Sequence, residues 1–119
     1  MGGELVMLST AVYPAFSDRP AAFTRAIATG ELRRRLGFEG VTITDALETP
    51  AVEHFGSTSQ AAVASARAGA DLLLYAKLST AQTAWKALTK KLRSGALQRP
   101  DFERSAQRVL RLRAEMRSD

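Results

Sequence analysis

"GFEGVTITDALETPAV", residues 37 to 52, sets the architecture of this chain. Val41, Thr42, Ile43 and Thr44 are all β-branched, the residue type that suits a pleated, packed surface. The run does not alternate apolar with charged residues, so it predicts a short strand buried on both faces, as in a parallel sheet. Directly after it stands a lone carboxylate, Asp45. Ligands and catalytic groups of parallel α/β proteins collect at the C-terminal ends of the strands. An acid there also suits an Asx turn, in which the carboxylate bonds backbone just beyond it. Spacing alone leaves Asp45 as either turn-former or catalyst.

The flanks repeat the theme. "ELVMLS", residues 4 to 9, and "DLLLYA", residues 71 to 76, are short apolar runs that predict two further buried strands. A loop with two prolines follows the first, from Thr10 to Phe23. Thr24 is then placed to cap a helix over 25–36, with Ile27, Leu32 and Leu36 toward one face and Gly37 as its stop. Ser57 or Thr58 caps a helix ending at Gly69, and Ser79 or Thr80 caps one ending near Gly95. Pro100 suits the first turn of a last helix whose stripe is Phe102, Ala106, Val109, Leu110 and Leu112. Strands alternating with helices predict an α/β fold with parallel strands and helical crossovers. Three strands are few, and an open sheet of that size would leave apolar edges unpaired. The order therefore fits an open three-layer sheet, or a sector of a larger sheet or barrel.

Composition narrows the function classes. The chain has 119 residues, enough for one domain with a core, and 45% are hydrophobic against 24% charged. No run of 18 apolar residues is present, so no membrane span is expected. The first ten residues lack a basic segment followed by a long apolar core, so no secretory signal is read; a true start at Met1 would imply a cytoplasmic protein. Without cysteine there is no disulfide and no thiolate metal site. The net charge of +5 is unevenly spread: residues 86–119 hold ten of the 17 Lys and Arg against four acids.

"LRRRLGFEGVTITDAL" resembles the segment around the nucleophile of glycoside hydrolase family 3, in its β-N-acetylhexosaminidase branch. In that branch a leucine and arginine on a helix lead into Gly-Phe-acid-Gly, a β-branched strand and Thr-Asp-Ala-Leu. "VMLSTAVYPAFSDRPAAFT" is similar to the preceding strand and proline loop, and "AAVASARAGADLLLYA" to the next helix and strand. "LRSGALQRPDFERSAQRVLRLR" is similar to the helix pair closing the catalytic domain. The resemblance covers nearly all of residues 4–115. It implies a partial (β/α)8 barrel, about the last three βα units plus a C-terminal helix pair, spanning 1–119 as one incomplete domain. It implies a retaining glycosidase with Asp45 as nucleophile, a carbohydrate substrate and no cofactor or metal. It also implies that the general acid/base, a histidine paired with an aspartate in a Lys-His and Gly-His loop, belongs to an upstream part that this chain lacks. On its own the chain is then expected to turn over poorly or not at all.

Other residues carry less. His54, the one histidine, is expected at a helix end or facing solvent, not as a substitute acid/base. With no clustered acids beside it there is no metal site. Arg33, Arg34 and Arg35 splay around a helix and read mainly as a solvated face, while Arg19 in the proline loop is in reach of an active-site mouth. Lys86, Lys90, Lys91, Arg104, Arg108 and Arg111 read as the solvent side of outer helices, with Trp85 and Phe102 packed inward, so no nucleic-acid partner is expected.

Three functions fit these readings. One is an incomplete glycosidase needing its upstream part. Another is a non-catalytic sugar-binding or self-associating half-barrel, joined through the exposed edge strand at 4–9. The last is an anion-binding protein using the C-terminal helices, with affinity that falls with salt.

Overall fold

The computed structural model describes residues 5–117. Its sheet has two parallel strands, β1 (Leu5–Leu8) and β2 (Val41–Thr44), with Leu5 opposite Val41 and Leu8 opposite Thr44. The third expected strand is reduced to one parallel bridge, Leu72 to Ile43, on the other side of β2. The Thr42 carbonyl accepts from the Leu72 amide (2.9 Å) and the Thr44 amide donates to the Leu72 carbonyl (3.0 Å). One step further the Leu74 amide donates to the Thr44 hydroxyl, 3.1 Å, instead of to a backbone carbonyl. Beyond the end of β2 the backbone pairing continues irregularly, with the Leu47 amide donating to the Leu74 carbonyl at 3.0 Å.

Side chains of a strand point alternately to its two faces. On one face Leu8 joins a core of Ala22, Phe23, Ala28, Leu47, Val52, Ala61, Ala68 and Ala70, and Leu73 and Tyr75 pack against the same cluster. On the other face Leu5 and Met7 are 48% and 56% exposed, and Leu74 is exposed too. The expectation that β1 is buried on both faces is therefore corrected. It is an edge strand with a helical layer against one face.

The proline loop, expected to be irregular throughout, contains a buried 3₁₀ turn, Ala21–Phe23. Its apolar residues hold it down, and the amides of Ala21 and Ala22 donate to the carbonyls of Ala11 and Ser9. Next comes a π-helix, Ala26–Arg35, whose bonds close over five residues, as from the Leu36 amide to the Glu31 carbonyl. The wider winding moves later positions off the expected face. Ala28 is buried and Leu32 packs on the core, but Leu36 is exposed. Thr24 does not cap this helix with its side chain, because its hydroxyl donates backwards to the Pro20 carbonyl at 2.9 Å. Gly37, at φ 72°, follows the helix as expected.

Four α-helices complete the described residues: α1 (Pro50–Phe55), α2 (Thr58–Ala68), α3 (Leu78–Arg93) and α4 (Arg99–Arg117). The cap of α2 is as expected, with Ser57 and Gln60 forming a reciprocal capping box. Gly69 ends it at φ 111°, and a Cβ there would come 2.4 Å from the Thr29 hydroxyl. Glycine at this position lets the π-helix seat against the end of α2, where Thr29 donates to the Ala68 carbonyl (2.7 Å).

The amphipathic stripes of α3 and α4 differ from expectation. The buried residue of α3 is Ala84, while its neighbour Trp85, turned about 100° around the helix, is 66% exposed. On α4, Ala106, Val109 and Leu112 are half-buried, but Phe102 and Leu110 face outward.

Candidate active site

Asp45 follows β2 directly, and its amide donates to the Leu8 carbonyl at 2.9 Å. That bond sets it beside the end of β1, at the C-terminal edge of the parallel pair. The residue is exposed, and its Oδ1 accepts from the Ala46 amide at 2.8 Å. The carboxylate thus makes a local contact one residue on, not the bond two residues on of an Asx turn, while lying open at the strand ends.

Three residues on, Glu48 does something the sequence did not reveal. Its carboxylate accepts from the amides of Ala76 and Lys77, the second at 3.0 Å, immediately before α3. No side chain of the helix itself caps α3, so Glu48 takes the place expected of Ser79 or Thr80. The backbone bond from Ala76 holds the Glu48 carboxyl below its ordinary range. The segment after β2 is thereby tied to the segment after Leu72, on the side of the sheet where Asp45 lies.

His54 is exposed in the last turn of α1, as expected. Arg19 lies over the Phe55 ring, 5.0 Å from its centroid, and Phe55 in turn meets Phe23 at 4.5 Å. Tyr75 buries a hydroxyl that makes no hydrogen bond among the described residues, and burial, with Glu48 nearby, pushes its pKa up to about 12. Among the described residues no group of three or more His, Cys, Asp or Glu is arranged to hold a metal.

The opposite end of the sheet carries a buried ionic cluster. Asp71, whose side chain is fully buried, receives Arg33 at 2.7 Å, the Thr42 amide at 3.0 Å and the Ser105 hydroxyl at 2.6 Å. Arg108 Nε stands 3.6 Å away. Arg33 also donates to the carbonyls of Phe38 (3.2 Å) and Gly40 (2.9 Å), fixing the turn that feeds β2. Burial pulls the Arg33 guanidinium below its ordinary pKa, with Asp71 acting against the shift. Two expectations are corrected here: Arg33 and Arg108 are not on a solvated face. One signal in the sequence was available, an acid opening an otherwise apolar run at "DLLLYA".

Residues 1–112 match the Glycosyl hydrolase family 3 N terminal domain. The chain belongs to glycosyl hydrolase family 3. An uncharacterized secreted glycosyl hydrolase of Arthroderma benhamiae is 36% identical over 118 residues, covering 97% of this chain and 33% of the relative. A beta-hexosaminidase of Chromobacterium violaceum is 38% identical over 73 residues, which is 61% of this chain and 20% of that protein. Among solved structures, a family 3 β-N-acetylglucosaminidase from Paenibacillus superposes with TM-score 0.90 at 32% identity, over 95% of this chain and 22% of that one. A β-N-acetylhexosaminidase from Beutenbergia cavernae superposes at 0.81 with 35% identity, over 95% of this chain and 34% of that one. This family 3 chain is therefore β-N-acetylhexosaminidase-like and matches part of the barrel domain. It spans from a fifth to a third of the length of these two curated relatives.

Proposed function

We propose that this chain carries the nucleophile of a retaining β-N-acetylhexosaminidase and forms the last three or so βα units of its (β/α)8 barrel, with α3 and α4 as the closing helix pair. A parallel sheet with its helical core against one face supports the barrel sector. The observation that carries the function is Asp45, exposed one residue past a parallel strand in a chain of this family.

In the reaction, an Asp45 carboxylate oxygen attacks the anomeric carbon of a β-linked N-acetylhexosamine as the bond to the leaving oxygen breaks. A general acid delivers a proton to that oxygen. Water then displaces the sugar from Asp45, losing its proton to the same group. We assign that acid/base to the portion of the family fold that this chain does not span. Its contribution is typically 10²–10⁴-fold, so the chain alone is a poor catalyst. Asp45 gains direction from the Leu8 carbonyl bond at its own backbone.

The test is hydrolysis of nitrophenyl N-acetyl-β-glucosaminide by the protein expressed from its complete reading frame. Asp45→Ala should abolish turnover, and azide should restore release of nitrophenol by entering in place of the carboxylate. Undiminished turnover by the variant would remove Asp45 from the mechanism.

A second reading, a non-catalytic self-associating half-barrel, is favoured by the exposure of Leu5 and Met7 on an edge strand. It predicts a stable oligomer by light scattering and no change in hydrolysis on Asp45→Ala.

A further inference from the structure

Behind the sheet, away from Asp45, the π-helix, the end of α2 and the first half of α4 enclose a cleft of about 660 Å³. Six arginines line it, Arg25, Arg33, Arg34, Arg67, Arg104 and Arg108, against two aspartates, Asp71 and Asp101, an excess of four positive charges. Some of these donors are already occupied. Arg25 and Arg67 donate to the carbonyls of Arg67 and Ala96, and Arg104 pairs with Asp101. The single carboxylate of Asp71 is left to serve both Arg33 and Arg108.

That sharing is incomplete. The Nε–H groups of Arg33 and Arg108 are buried and have no hydrogen-bond partner among the described residues. Their side chains are only 13% and 20% exposed, so water compensates them poorly. A buried cation without a full counter-charge is costly, as is a buried donor left unpaired. The N-terminus of α4, with Gln98 just before it and Asp101 in its first turn at the cleft, adds the positive end of a 19-residue helix. Guanidinium groups match the oxygens of a tetrahedral oxyanion in pairs, and Phe102 on the rim supplies an apolar edge.

We propose that this cleft binds a small phosphate-type oxyanion, either free or as a phosphate monoester, on the side of Arg108 away from Asp71, with Arg34 and Arg104 at its mouth. The site is separate from Asp45 and joins the π-helix to α4. Occupation therefore stabilises the packing of these helices and leaves the strand ends free.

The protein expressed from its complete reading frame is titrated with inorganic phosphate and with phenyl phosphate, at constant ionic strength held by sodium chloride. Thermal unfolding and phosphorus NMR are the readouts. Phosphate should raise Tm saturably and broaden its own resonance, and Arg108→Gln should weaken binding about tenfold or more, the loss of a charge-assisted pair. Arg104→Gln, altered at a largely exposed side chain, should weaken it less and serves if the first variant does not fold. Tighter binding of phenyl phosphate identifies a phosphorylated small molecule as the ligand, and preference for inorganic phosphate identifies the free ion. An equal rise in chloride alone would overturn the proposal. So would an equal loss of binding in Lys90→Gln, which alters the separate groove between α2 and α3.

Discussion

Asp45 and Asp71 sit at opposite ends of β2: Asp45 follows its last residue, Thr44, and Asp71 accepts a hydrogen bond from the amide of Thr42 near its start. One acid is exposed, accepting from the neighbouring Ala46 amide, and the other is fully buried and spent on arginine, amide and hydroxyl. The division matches parallel α/β architecture, in which the C-terminal ends of strands hold the chemistry and the other ends hold the structure together.

Asp71→Ala should lower unfolding free energy by about 3–5 kcal/mol, because it strands Arg33 and Arg108 without a counter-charge. Urea unfolding followed by circular dichroism gives the value. A loss under about 1 kcal/mol would mean that the cluster contributes no more than a surface pair.

Gly69→Ala meets two obstacles, a φ of 111° and the Thr29 hydroxyl 2.4 Å from the new Cβ. A cost of about 1–3 kcal/mol is expected from backbone strain alone. Adding Thr29→Ala should remove the collision but not the strain, at the further loss of the bond to the Ala68 carbonyl. If Gly69→Ala unfolds at the same urea concentration as the parent, the close seating of the π-helix on α2 is wrong.

Glu48 links stability to acid pH. Its carboxyl is held below the ordinary value near 4.5, chiefly by the Ala76 amide, so the folded state favours the ionised form. That contribution is fully present above about pH 4.5 and is lost as pH falls through the lowered pKa. The Tm difference between the parent and Glu48→Gln should therefore narrow from pH 6 to pH 3. A constant difference across that range would show that ionisation of Glu48 is not involved.

Tyr75 gives the mirror case at alkaline pH. Its hydroxyl, ordinarily near pH 10, is raised to about 12, so the folded state holds the proton more tightly than the unfolded chain does. Its contribution is complete below pH 10 and disappears as pH rises to about 12. Tyr75→Phe should flatten this part of the stability curve, measured by denaturant midpoint against pH. An unchanged alkaline slope in the variant would exclude Tyr75 as its source.

Much of the framework was legible because local chemistry and tertiary packing agree. The β-branched run at 41–44, the Ser57–Gln60 box and the left-handed glycines 37, 69 and 95 all act within a few residues of themselves. What escaped depends on residues far apart in the chain. Glu48 caps a helix 28 and 29 residues away, and Arg33 reaches Asp71 across 38. Periodicity also assumed ordinary α-helical winding over 25–36, and the π-helix displaced Leu36 from the core. The basic C-terminal segment read as uniform surface, whereas Arg108 turns inward and Trp85 outward. For Asp45 the sequence supplied its place after the strand and its family context, and folding supplied the neighbouring Leu8 carbonyl.

The role of Asp45 is tested most directly by trapping. The protein from the complete reading frame is treated with a 5-fluoro N-acetylglucosaminyl fluoride, which forms a glycosyl-enzyme faster than water clears it, and the adduct is mapped by mass spectrometry after digestion. The label should lie on Asp45 and be absent from Asp45→Asn. A label on any other carboxylate, with Asp45 unmodified, would contradict the assignment.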